Sequence, residues 1–158
     1  DTGSRGLGDV YKRQILNNRN YCISKVQNFM TDENQAILAA NQAFYRAFEK
    51  RDIKALNDIL SKGIGTVCIH PGRSAIRGFD KIHNSWDLIF KNTNYIEIDL
   101  DIITTEIHGD IGYVILVENV MQVSGGRTIK AQSMATNIFE RMGGNWYLIH
   151  HHGSPLIN

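Results

Sequence analysis

From Ile96 to the end, the chain is dominated by four apolar runs separated by glycine-rich or charged turns: Ile96–Ile107, Gly112–Val123, Thr128–Arg141 and Asn145–His152. The intervening His108-Gly109-Asp110, Ser124-Gly125-Gly126 and Gly143-Gly144-Asn145 suit antiparallel hairpins. The first half has a different period. Ile37, Leu38, Ala40, Phe44, Ala47 and Phe48 recur at helical spacing behind a capping Thr31 or Asp32. A short second helix is expected over Ile53–Leu60, ended by Gly63 and Gly65. A third is expected from Phe79, with Phe79, Ile82, Trp86, Ile89 and Phe90 on one face. Between them, Thr66–His70 fits a short strand stopped by Pro71-Gly72. Helices first and a meander after is the α+β pattern, with helices laid against one face of a sheet.

The N-terminal stretch does not share these periods. Ser4–Gln14 has no apolar pattern, and Asp9–Gln14 corresponds codon for codon to the transposase end of a sequencing adaptor. Residues 1–14 are therefore expected to be an adaptor scar, and residues 15–29 a non-native or disordered leader. A single domain over 30–158 remains. Residues 1–29 hold five of the 17 basic and two of the 16 acidic residues, so the domain keeps 12 and 14, a formal charge of −2. Such a balance, without a basic stripe, gives no reason to expect nucleic acid as a partner. Cys68 is the one cysteine of this stretch, which excludes an intramolecular disulfide and suits a cytoplasmic protein. No apolar run is long enough to span a membrane.

Strand alternation suggests which polar residues can meet. In the last strand, Trp146, Leu148, His150 and His152 are expected on one side, with Tyr147, Ile149 and His151 facing away. Glu118 sits among Val114, Leu116 and Val120, where a carboxylate is costly to bury without partners. His150, His152 and Asn137 are the candidates for that role.

The chain resembles the nuclear transport factor 2-like superfamily in its SnoaL-like and ketosteroid-isomerase-like branch. The residues that carry the resemblance are Cys68-Ile69-His70-Pro71-Gly72, Gly78 with Ser85–Phe90, Glu118, Ala135–Phe139, and Asn145–His152 followed by Gly153-Ser154-Pro155. It implies a cone-like roll, in which a strongly curved mixed or antiparallel sheet and three helices enclose a pocket. Members of this subgroup often carry tryptophan after the Pro-Gly turn, where this chain has Arg73, a cation that would favour an acidic ligand. The catalytic aspartate and tyrosine of ketosteroid isomerases have no matching positions, so steroid isomerisation is not implied.

These readings give a small-molecule-binding domain that acts as an isomerase, cyclase or dehydratase by proton transfer. His150 or His152 is the expected general base and Glu118 its orienting partner, because histidine titrates near neutrality and a carboxylate can fix its tautomer. Asn137 and His70 are the expected oxyanion donors, with Arg73, Trp86, Tyr45 and Phe139 on the ligand. No cofactor or metal is expected, and a homodimer is. The alternative is a non-catalytic ligand-binding or dimerisation module, since fold alone does not fix function. A metal site built from His150, His152 and Glu118 is a third option. Cys68 is expected to be inert core.

Overall fold

A computed structural model describes residues 12–14 and 32–157. The expected capping residue Thr31 and nearly all of residues 1–29 lie outside this range. The chain divides into two compact units, Asp1–Gln35 and Ala36–Asn158. The second unit holds the sheet and the site.

Helix α1 covers residues 32–50 and buries Ile37, Phe44 and Ala47 of the predicted apolar face together with Asn41 and Tyr45, while Leu38, Ala40 and Phe48 are half-buried. Arg51 ends the run with φ 53°, and its guanidinium donates to the Thr93 carbonyl at 2.6 Å. Helix α2 (Ile53–Ile59) is capped by the Asp52 carboxylate, which accepts from Ala55 N–H at 3.0 Å. Helix α3 (Phe79–Lys91) starts after Gly78, whose φ of 91° favours glycine, and buries Ile82, Trp86 and Phe90.

The strands are β1 (Val67–Ile69), β2 (Ile76–Arg77), β3 (Tyr95–His108), β4 (Ile111–Ser124), β5 (Arg127–Met142) and β6 (Asn145–Pro155). They form one curved, unclosed sheet in the order β2-β1-β6-β5-β4-β3. Strands β3 to β6 are an antiparallel meander. β1 joins it by parallel pairing with β6, so the sheet is mixed. The two-residue β2 has no counterpart in the sequence reading, because two residues carry no measurable period.

Alternation places Gly112, Val114, Leu116 and Glu118 of β4 in one buried row, beside Ser133, Ala135, Asn137 and Phe139 of β5. Side chains from α1 and α3 pack over this row, with Phe44, Phe48 and Phe90 around Trp86. Gly112 leaves room for the Ile37 side chain of α1. A Cβ there would lie 2.5 Å from Ile37 Cδ1 and 3.1 Å from the Glu106 carbonyl oxygen.

A β-bulge changes the phase of β6. Ile138 pairs with His150 while Phe139 pairs with Leu148, leaving Ile149 as the extra residue. The inward positions are therefore Trp146 and Leu148 before the bulge, and His151 and Gly153 after it. This corrects the expected facing of the three histidines. His151 is inside, His150 is half-buried, and His152 is exposed.

No described helix is long and apolar enough to cross a membrane.

Candidate functional site

A cavity of about 430 Å³ lies between α3 and the buried row of the sheet. Its apolar lining comes from Phe48, Trp86, Ile89, Val120 and Ile129, and its polar lining includes His70, Glu118, Ser133 and His151. That mixture and size suit a small organic ligand, since such sites are mostly apolar with a few placed polar groups. Gly153 contributes by what it lacks. A Cβ there would sit 3.0 Å from Pro71 Cγ and 3.4 Å from Glu118 Oε1.

Glu118 is 3% exposed. Burial pushes its carboxyl up to about 7, partly opposed by a hydrogen bond from the Tyr45 hydroxyl. Tyr45 is itself held well above its ordinary value, first by burial and then by the nearby Glu118 charge, so it stays protonated and donates. The second carboxyl oxygen, Oε2, has no hydrogen-bond partner.

Trp86 is 2% exposed, and its indole Nε1–H has no close hydrogen-bond partner, although it lies near enough to the Cys68 thiol to act on that group as a donor. Burial pushes the neighbouring Cys68 thiol up to about 12. It remains a neutral thiol, whose sulfur is only a weak acceptor for the indole N–H. Cys68 is thus buried and inert toward nucleophilic chemistry, as its apolar strand suggested. Two under-satisfied buried polar atoms on residues that line one cavity are uncommon, because native proteins satisfy nearly all such groups.

His151 is 3% exposed, and burial, followed by the charges of the surrounding histidines, brings its pKa down to about 3. The ring is therefore neutral. Its tautomer follows from the network behind it. Asn137 Nδ2 donates to Asn41 Oδ1 at 2.8 Å and to Tyr45 Oη at 3.1 Å, so Asn137 Oδ1 is left to accept from His151 Nδ1 at 2.6 Å. The proton sits on Nδ1, and Nε2 carries the lone pair. A continuous hydrogen-bonded chain runs from His151 through Asn137 and Tyr45 to Glu118.

Several site expectations change in this light. His150 and His152 do not line the cavity; their rings pack against each other at 6.2 Å, and the bulge at Ile149 is the reason. Asn137 is wholly buried and spends its amide within the network, so it orients His151 and Tyr45 instead of meeting a ligand. Tyr45 touches Glu118 from behind, and Phe139 is fully buried core outside the lining. His70 and Trp86 do line the cavity, with ring centroids 4.8 Å apart. Burial, and then the Arg73 charge, lowers the His70 pKa. Arg73 lines an adjoining cavity. Among the described residues no three His, Cys, Asp or Glu side chains converge as metal ligands, so the Glu118, His150 and His152 set is not assembled.

Asn41 and Ser85 were not singled out from sequence. Asn41 lies four residues from both Ile37 and Tyr45 on the buried face of α1, a polar interruption of an apolar helical stripe that could have marked it.

The sequence profile of the SnoaL-like domain matches residues 37–158. The chain belongs to the SnoaL-like domain family. This SnoaL-like chain is 25% identical to the F-box protein SKIP8 of Arabidopsis thaliana over 123 residues, which are 78% of the chain and 51% of that protein. It thus spans about half the length of that relative. Among solved structures, a candidate dehydratase of the NTF2-like family from Streptomyces avermitilis superposes with a TM-score of 0.76 at 30% identity, covering 81% of this chain and 99% of that one. A candidate calcium/calmodulin-dependent protein kinase type II association domain from Thiobacillus denitrificans gives 0.68 at 24% identity, over 75% and 94%. The family resemblance and the α+β fold expected from sequence are both met, in a family of small-molecule-binding domains.

Proposed function

We propose that this SnoaL-like domain binds a small carbonyl compound in the cavity beside Trp86 and catalyses proton transfer on it, with Glu118 as the acid–base group. The observation that carries the reading is a pair of under-satisfied buried atoms, Glu118 Oε2 and Trp86 Nε1, on two residues that line one cavity. A carboxyl that titrates near 7 is present in both forms at neutral pH, which suits a group that must take up a proton and give it back. The carboxylate would remove the proton α to the carbonyl, and the C–H electron pair would pass into the carbonyl to form an enolate. The Trp86 N–H would donate to the new oxyanion. With a β,γ-unsaturated substrate the enolate extends to the γ-carbon, and return of the proton there completes an isomerisation. Its delivery to a departing β-hydroxyl releases water and completes a dehydration.

The base is thus moved from His150 or His152 to Glu118, and His151 Nε2 is left to accept from a ligand hydroxyl. The name of the Streptomyces relative, a candidate dehydratase, supports the second outcome. A non-catalytic module is the second reading, supported by the name of the F-box relative, which is not that of a reaction. Exposed apolar side chains on β3, Ile102 and Ile103, support the expected homodimer.

Deuterium exchange at the α-carbons of a panel of small β-hydroxyketones and unsaturated ketones, followed by proton NMR, tests the reading. The wild-type protein is expected to accelerate exchange for some members and Glu118→Gln to abolish it. Exchange that survives Glu118→Gln would remove Glu118 from the chemistry, and no exchange at all with tight binding would favour the module.

A further inference from the structure

The cavity holding Glu118 has a neighbour. A second cavity of about 490 Å³ is lined by Arg73, Ser74 and Ser85 with Ile76 and Leu88, and it shares His70 and Ile89 with the first. Its polar groups are a guanidinium, two hydroxyls and an imidazole, and no acidic side chain lines it. Among the described residues Arg73 has no ion-pair partner.

Arg73 is also held in place by the backbone. Its N–H donates to the His70 carbonyl at 2.9 Å across Pro71-Gly72, and Gly72 has φ 72°. Proline followed by a positive-φ glycine is the composition of a type II turn, which fixes Arg73 next to His70. From the opposite wall, Ser85 Oγ lies 2.8 Å from His70 Nε2. The two cavities therefore differ in sign. The inner one carries a carboxyl that repels anions when ionised, and the outer one carries a cation with hydroxyls around it.

We propose that the two cavities form one divided site for an amphipathic organic anion, whose carboxylate, sulfonate or phosphate end rests on Arg73, Ser74 and Ser85 while its apolar, carbonyl-bearing body lies against Trp86. The proposal rests on the reading of the inner cavity as a ligand site. It assigns a polarity to the ligand that the inner cavity alone does not. Repulsion from Glu118 and attraction to Arg73 both orient the molecule with its charge outward.

Two fluorescent probes with the same aromatic skeleton test it: anilinonaphthalene sulfonate, which is anionic, and phenylnaphthylamine, which is not. Each is titrated into the wild-type protein, Arg73→Ala and Arg73→Lys. The wild type is expected to prefer the sulfonate. Arg73→Ala should lose about fivefold in affinity for it, the scale of a partly exposed charge pair, and nothing for the neutral probe. Arg73→Lys should keep most of the preference, and added salt should shrink it. A wild type that binds both probes equally, or an Arg73→Ala variant that weakens both alike, would overturn the anion subsite while leaving the inner cavity as a ligand site. Binding of neither probe to the wild type would overturn both.

Discussion

Replacing Glu118 by glutamine should change how stability depends on pH, because the carboxyl titrates in a place that disfavours its charge. The carboxyl titrates at about 7 in the fold against an ordinary 4.5. Its folded value is raised, so the folded state holds the proton more tightly than the unfolded chain. Stability from this group is complete below 4.5 and is lost as pH rises through 7. At about 1.4 kcal/mol for each tenfold difference in proton affinity, the gap corresponds to about 3 kcal/mol. Glutamine can still accept from Tyr45 and does not ionise. Urea denaturation of both proteins between pH 4.5 and pH 8 should therefore give stability curves that diverge by about 3 kcal/mol across that window and run parallel above it. The other titrating groups are common to both proteins and cancel in the difference to first order. Curves that stay parallel throughout would mean that Glu118 is solvated or already paired, and the proton-transfer argument would lose its basis.

Asn137→Ala would leave His151 Nδ1, Asn41 Oδ1 and Tyr45 Oη without their shared partner. A loss of about 3–5 kcal/mol in urea unfolding is expected, and a loss under about 1 kcal/mol would show that the network carries little. His150→Gln and His152→Gln lie outside the cavity and should shift stability by no more than about 0.5 kcal/mol. They should also leave the α-proton exchange rate unchanged; a collapse in exchange with either would return the base to the histidines.

Much of this architecture was legible because it follows from periods. The apolar spacing of α1 and α3 and the turns at Gly109, Gly125 and Gly143 anticipate the elements to within a residue or two, apart from the end of β6, which runs three residues further to Pro155, since burying one face of a helix or strand constrains every residue along it. The same logic singled out Glu118, a carboxylate in an inward row. It failed at the histidines, where alternation was carried through a single inserted residue. A bulge at Ile149 depends on how β6 pairs with β5, which is a property of two strands together and has no signature in either alone. The partnership of Asn137 with Asn41 was hidden for a related reason. It joins residues 96 apart in the chain that only the docking of α1 brings together.

The strand order also sets a timetable for biosynthesis. β1 and β2 join the sheet through β6, the last strand of the meander to leave the ribosome. Cys68 finds its neighbour in the ladder, His151, only at that late stage. His70, at the end of β1, and His151, on β6, are therefore brought to the same chamber in a single closing event. A nascent chain stalled before Asn145 would lack His151 and Pro155, the two residues that β6 gives to the chamber wall, and the strand on which β1 pairs.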